Sequence, residues 1–249
     1  TQEALAQRPG HPLVRFNHAM FAFHTREGLD RTAAIRPIRR ALQALDRVDP
    51  DTLDPAELNG IYVSPDMNRW RREVSYTHFD TMDARERTRR LVELHRYELQ
   101  RALGVVNCDH GEWAAAIVPL SRALAIVPDD GYTMFYLARA FAEEGRPTQA
   151  VAVYREAISL EGMFFDARLR LMGLYGQHNQ AEEGLAVALE TIPIASPFPI
   201  EHAQWLFYAA TLEARLARPA EARESLDASL GVLEDAGPIS HQDSAQAIH

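Results

Sequence analysis

The chain contains no lysine; all 26 of its basic residues are arginine. Catalysis through a lysine Schiff base or a lysine general base is therefore excluded. The arginines favour bidentate contacts to carboxylates, and the bias itself fits a GC-rich bacterial genome. Cysteine is almost as scarce. Cys108 stands alone, so no intrachain disulfide forms and no CxxC pair holds zinc or cycles redox equivalents, which favours the cytoplasm. No apolar run approaches the roughly 18 residues that would suggest a membrane span. No basic-then-apolar start marks a retained signal peptide. The first residue is Thr1 in place of Met, so a fragment, a processed form or a trimmed chain is expected, and a removed leader stays open. GxGxxG, GxxxxGKS and GxSxG are all missing, and with them the usual phosphate cradles and the nucleophile elbow.

What remains is ordinary for a chain that buries a core: 249 residues, 47% hydrophobic and 24% charged. The charge is uneven. Residues 1–110 hold 17 Arg against 16 acidic residues, and residues 111–249 hold 9 Arg against 19. An acidic second half argues against nucleic acid, which needs a net basic footprint.

One sentence is written twice. Residues 34–42 read AIRPIRRAL and residues 116–124 read AIVPLSRAL. Each carries a proline inside an otherwise helical pattern. Ala116, Leu120, Ala123 and Leu124 keep the i, i+4, i+7, i+8 spacing of a buried stripe. An interior proline costs up to ~3 kcal/mol through the lost backbone bond, less if the freed carbonyl faces water on a convex side.

A longer period contains these copies. Gly111, Gly145 and Asn179 are 34 residues apart. Glycine and asparagine are the residues that tolerate the left-handed conformation closing a helix. Helices are expected on either side of each: Tyr97–His110 and Glu112–Val127, Thr133–Glu144 and Thr148–Leu160, Ala167–His178 and Ala181–Ile192. A fourth unit follows a four-residue insertion placed in the connector Pro193–Pro199. The first proline copy implies a further hairpin, Leu13–Arg26 with Arg31–Val48, turning at Gly28. Leu103, Gly104, Trp113, Ala116, Leu120, Ala123 and Pro128 carry the pattern in the first unit. Leu137, Ala138, Phe141, Ala150, Tyr154 and Ala157 carry it in the second. These residues resemble the tetratricopeptide repeat (TPR) family, whose motif has this period. The resemblance covers roughly 150 residues. It implies an all-α solenoid of antiparallel helix hairpins. Here it is interrupted by an irregular, proline-bearing insertion, giving a hairpin in 1–50, the insertion in 51–79, and repeats plus a C-terminal tail in 80–249.

Several constellations could carry chemistry. His78, Asp80, Asp83 and His95 include metal-ligand types, but Asp80 reads more simply as the N-cap of a long helix from Thr81 to Asn107. Cys108, Asp109 and His110 look like a nucleophile and base but are adjacent at a helix end, whereas a working pair must converge. No catalytic set, cofactor or metal is therefore expected, and the chain is read as a non-enzyme.

The TPR resemblance also implies that the first helix of each unit lines a concave surface. On this sequence that surface holds Arg101, Tyr132, Phe135, Tyr136, Arg139, Arg170, Phe207 and Tyr208, residue types enriched at binding hot spots. For Tyr132, Tyr136 and Tyr208, groove and core are both open. The family's clamp for C-terminal carboxylates needs a Lys and an Asn where Arg101 and Val105 stand, so that form of capture is not expected. The reading is a scaffold or adaptor for a peptide or protein partner. Two alternatives stand beside it. One is a regulatory or substrate-recruiting region of a larger enzyme, with chemistry near residues 59–83. The other is self-association through terminal repeats, because the tail Gly237–His249 is too polar and short to cap a solenoid.

Overall fold

A computed structural model describes residues 7, 11–26, 28–51, 83–162 and 164–236. All regular structure among them is helical. The helices are α1 (Pro12–His24), α2 (Arg31–Leu45), α3 (Ala84–Asp109), α4 (Trp113–Ile126), α5 (Gly131–Glu143), α6 (Pro147–Leu160), α7 (Phe165–Gln177), α8 (Ala181–Ala195), α9 (Pro199–Arg215) and α10 (Pro219–Ala236). The fold class is all-α, a solenoid of antiparallel hairpins. The chain divides into two compact units, Thr1–Gly145 and Arg146–His249. The expected insertion at 51–79 lies outside the described residues apart from Asp51. Arg89 clamps that carboxylate with bonds of 3.1 and 2.8 Å, and Arg85 approaches it at 3.3 Å.

The turns follow from backbone sterics. Gly28, Gly111 and Gly145 sit at φ of +79°, +72° and +70°, and Asn179 takes +59°. Ala217 joins them at φ +58°, 38 residues after Asn179, which is the period plus the four-residue insertion. At Gly111, Asn179 and Ala217 the turn closes with the same bond from the following N–H back to the helix. Glu112 donates to the Asn107 carbonyl, Gln180 to Tyr175 and Arg218 to Glu213, each at 2.9 Å. The insertion itself is placed differently from expectation. Helix α8 runs through Pro193 to Ala195, leaving only 196–198 as connector. The start of α3 also shifts: Asp83 is the N-cap, accepting from the Glu86 N–H at 2.8 Å, and Asp80 lies outside the described residues.

In the first unit α3 serves two cores. One side packs Val92, Leu99, Ala102, Val105 and Val106 against Phe16, Met20 and Phe23 of α1 and Ile35, Ile38 and Leu45 of α2. The other packs Leu94 and Tyr97 against Ala123 and Val127 on and just after α4. Gly104 sets the distance between α3 and α4. A Cβ built there would stand 2.4 Å from Cγ of Leu120. Both repeated prolines, Pro37 and Pro119, sit inside second helices. The carbonyl freed by Pro119 belongs to Ala115, and it has a donor within the protein. The buried Asn107 side chain donates to it at 3.1 Å while accepting from Arg31 Nε at 3.0 Å. One amide thus repairs the proline defect and ties α3 to α2 and α4.

In the second unit, Arg155 of α6 donates to the Tyr175 hydroxyl of α7 at 3.2 and 3.0 Å. Arg168 of α7 reaches Thr191 of α8 at 3.4 Å and the Gly162 carbonyl at 3.1 Å. The Ser229 hydroxyl of α10 donates to the Ala203 carbonyl of α9 at 2.8 Å.

Candidate functional site

The 34-residue register places Glu98, Arg101 and Val105 of α3 in the same positions as Tyr132, Phe135 and Arg139 of α5. Their surroundings differ. Glu98 and Val105 are buried, and Arg101 is only 6% exposed. Arg101 is ion-paired with Glu98 at 3.1 Å. Burial alone would lower the guanidinium's affinity for its proton. The Glu98 carboxylate, with Tyr97 and Asp130, outweighs burial and raises it. The Tyr97 hydroxyl donates to Asp130 at 2.5 Å, and burial first, then the Asp130 charge, holds that phenol strongly protonated. Asp130 also caps α5, accepting from the Tyr132 N–H at 3.1 Å, and it accepts from the Thr133 hydroxyl. Arg101 thus belongs to the packed interior and offers no open contact surface.

Helix α5 presents the other arrangement. Tyr132 is 50% exposed, and Phe135, Tyr136 and Arg139 are half-buried. The three rings form one cluster, with centroids 6.3 Å apart for Tyr132–Phe135, 5.7 Å for Tyr132–Tyr136 and 5.5 Å for Phe135–Tyr136. Burial pushes the Tyr136 phenol up to about 12. Arg139 lies over the Trp113 ring at 4.8 Å, and its Nε is buried with no hydrogen-bond partner among the described residues. Trp113, the first residue of α4, was visible in the sequence only as a repeat-pattern residue. It becomes part of the site because α4 folds back along α3 and α5 packs on α4.

In the second unit Arg170 is exposed on α7. On α9, Phe207 is 52% exposed, Tyr208 is half-buried, and their rings lie 6.4 Å apart. Tyr208 packs edge-on against buried Trp205 at 5.5 Å, and Gln204 donates to its hydroxyl at 2.8 Å. Tyr132, Tyr136 and Tyr208 therefore divide between the two environments: Tyr132 is largely open, and the others rest half in the core.

The residues of the catalytic alternatives are buried or engaged elsewhere. Cys108 is buried, which pushes its thiol up to about 12. Asp109 pairs with Arg26 at 2.8 Å. His110 contacts the Val106 carbonyl at 2.8 Å and the Leu29 carbonyl at 3.2 Å. His95 is buried with its ring edge-on to Phe16 at 4.3 Å and contacts the Leu91 carbonyl. His78 lies outside the described residues. No group of three or more metal-ligating side chains occurs among the described residues, and none of their helices is long and apolar enough to cross a membrane.

No family model matches the sequence, and no curated protein matches it. Solved structures do. A crystal structure of MamA protein superimposes with TM-score 0.61 at 16% identity, covering 91% of this chain and 97% of that one. YrrB, described as a TPR protein with an unusual peptide-binding site, superimposes with TM-score 0.57 at 14% identity, covering 99% of this chain and 96% of its own. With the 34-residue turns and the paired helices, these likenesses establish that the chain has the tetratricopeptide-repeat fold.

Proposed function

We propose that this protein is an interaction scaffold that holds a peptide or protein segment against the aromatic and arginine side chains of its first helices. The observation that carries the reading is the α5 cluster. Three aromatic rings sit together with Tyr132 half open to solvent, beside a stacked Arg139 whose Nε lacks an acceptor. Large side chains held by their neighbours lose little freedom on binding, which is why Tyr, Trp and Arg dominate hot spots. A guanidinium stacked on a ring and only half-buried suits a carboxylate. The segment captured is therefore one that combines an apolar or aromatic side chain with an acidic group. Phe207, Tyr208 and Arg170 supply a second set of the same residue types. Arg101, sealed beneath Glu98, keeps α3 in place and does not contact the partner.

The test is selection of peptides from a random library, followed by titration of the best binder. Replacing Phe135, Tyr136 and Arg139 with Ala should lower affinity at least ~100-fold, since truncating hot-spot residues costs about 2 kcal/mol or more each. Helical circular dichroism should be unchanged. Equal affinity in a folded triple variant would remove α5 from the site. A chain that selects no peptide at all would remove the scaffold reading.

A further inference from the structure

We propose that the first hairpin binds a small soluble phosphorylated molecule in the cavity between the start of α1 and the end of α2. The site stands apart from the α5 cluster and does not depend on the scaffold reading. The cavity has a volume of about 620 Å³, within the range of small-ligand sites. Arg15 of α1 lines it together with Arg40 and Gln43 of α2 and Arg47 of the turn that follows. That turn is closed by the Arg47 and Val48 N–H groups, which donate to the Ala44 and Leu45 carbonyls at 3.3 and 3.1 Å. The same bonds occupy carbonyls at the negative end of α2, which would otherwise repel an anion. No acidic side chain lines the cavity, and among the described residues none of its three arginines forms an ion pair.

The acidic residues nearby are engaged with α3 instead. Asp46 accepts from Arg96 at 3.2 Å, and Asp51 is held by Arg85 and Arg89 at 3.3 and 2.8 Å. The bond to Asp51, and after it the charges of Asp51 and Asp49, raise the Arg89 proton affinity. The cavity arginines therefore keep their charges uncompensated, although the chain as a whole carries −9. His18 feels the result. It lies one turn beyond Arg15 on α1 and is half-buried. Burial first, and then positive charges that include Arg15 and Arg40, hold its imidazole below the ordinary histidine value. Pro12 opens α1 and also lines the cavity, so the positive end of that helix borders it. Arginine forks match phosphate oxygens, and such charge-assisted bonds are about twice as strong as neutral ones. A phosphoryl group sets two negative charges and three acceptor oxygens on one atom, which suits three cations gathered in one recess. Ala44 and Val48, which also line it, provide an apolar wall for a short carbon skeleton.

Calorimetric titration of the 249-residue chain with inorganic pyrophosphate tests the site. Saturable binding of one equivalent is expected, weakening as salt is added. Arg40→Gln and Arg47→Gln should each lower the affinity about tenfold. Both side chains are exposed, so folding is spared. Arg39→Gln removes the same charge from an exposed neighbour that points about 100° away round α2, and it should change affinity by less than about twofold. The His18 imidazole should titrate at higher pH in the complex, because the bound charge offsets Arg15 and Arg40. Its NMR signal, assigned with His18→Gln, reads this shift. No saturation at millimolar pyrophosphate, an Arg39→Gln loss equal to that of Arg40→Gln, tighter binding of succinate than of pyrophosphate, or an unmoved His18 signal would each overturn the proposal. So would binding seen only with phosphatidic acid vesicles, which would make the arginines a membrane contact.

Discussion

Helices α3 and α5 lie in one unit and share one place in the repeat, and they spend it in opposite ways. In α3 the face set by Glu98, Arg101 and Val105 is buried and internally paired. In α5 the face set by Tyr132, Phe135 and Arg139 is partly open and aromatic. The backbone register is common to both, so the repeat fixes where a side chain stands. Whether it is a contact or a core residue depends on what lies across from it. An arginine on a first helix can be hot spot or interior, and Arg101 is interior, paired with Glu98 one turn earlier on α3.

The largest expected effect breaks the sealed face. Arg101→Leu leaves Glu98 as a buried charge without its guanidinium and should cost about 3–5 kcal/mol, read as a drop in the urea midpoint. Replacing both with leucine should recover most of that. At the matching position of the open face, Phe135→Ala should cost distinctly less, because the ring is only half buried.

Next come the two glycines of the interhelical columns. Gly104→Ala drives a methyl into Leu120, which is itself buried, and should cost about 1–3 kcal/mol. Gly184→Ala meets only ordinary contacts at 3.6 and 3.7 Å. It should stabilise the helix by about 0.5–1 kcal/mol, in line with Ala116 and Ala150 at the equivalent positions. Thermal melting compares the two.

Ala217→Gly should add about 1 kcal/mol, since an alanine at φ +58° carries the left-handed penalty that glycine avoids. Gly111→Ala should lose a similar amount at the corresponding turn.

The smallest effect is pH-dependent. Burial raises the Cys108 thiol from 9.0 to about 12. Below pH 9 the thiol is protonated folded or unfolded, and its contribution is fully present. As pH rises toward 12 the unfolded chain releases the proton first, so stability declines. Cys108→Ala should flatten that decline. In the wild type, alkylation near pH 8 should be slow until denaturant is added.

Much of this was legible in the sequence. The 34-residue spacing of Gly111, Gly145 and Asn179 located the turns, because few residues accept a positive φ. The duplicated proline stretch identified a hairpin in the first 50 residues. Ala217 was harder to see, since alanine carries no signal for the left-handed turn that its place in the series imposes. The connector was drawn too long because Pro193 reads as a breaker, yet the helix continues past it. Asp83 rather than Asp80 caps α3, a choice between two identical residue types that only the helix start decides. The repair of the Pro119 defect by Asn107 joins residues whose pairing depends on the α3–α4 crossing.

For the candidate site, the residue types and their register were readable, whereas exposure was not. Arg101 looked equivalent to the aromatic positions and proved interior, and Trp113 entered the site only when Arg139 was found lying on it. By itself the sequence determined the helices, their turns and the columns of small and large residues, because backbone sterics and helical periodicity act over a few residues. The tertiary structure decided which charges are sealed, which rings stay open and which arginines of the first hairpin line a cavity. Burial is a property of the opposing surface, and that surface is brought into place only when the hairpins stack.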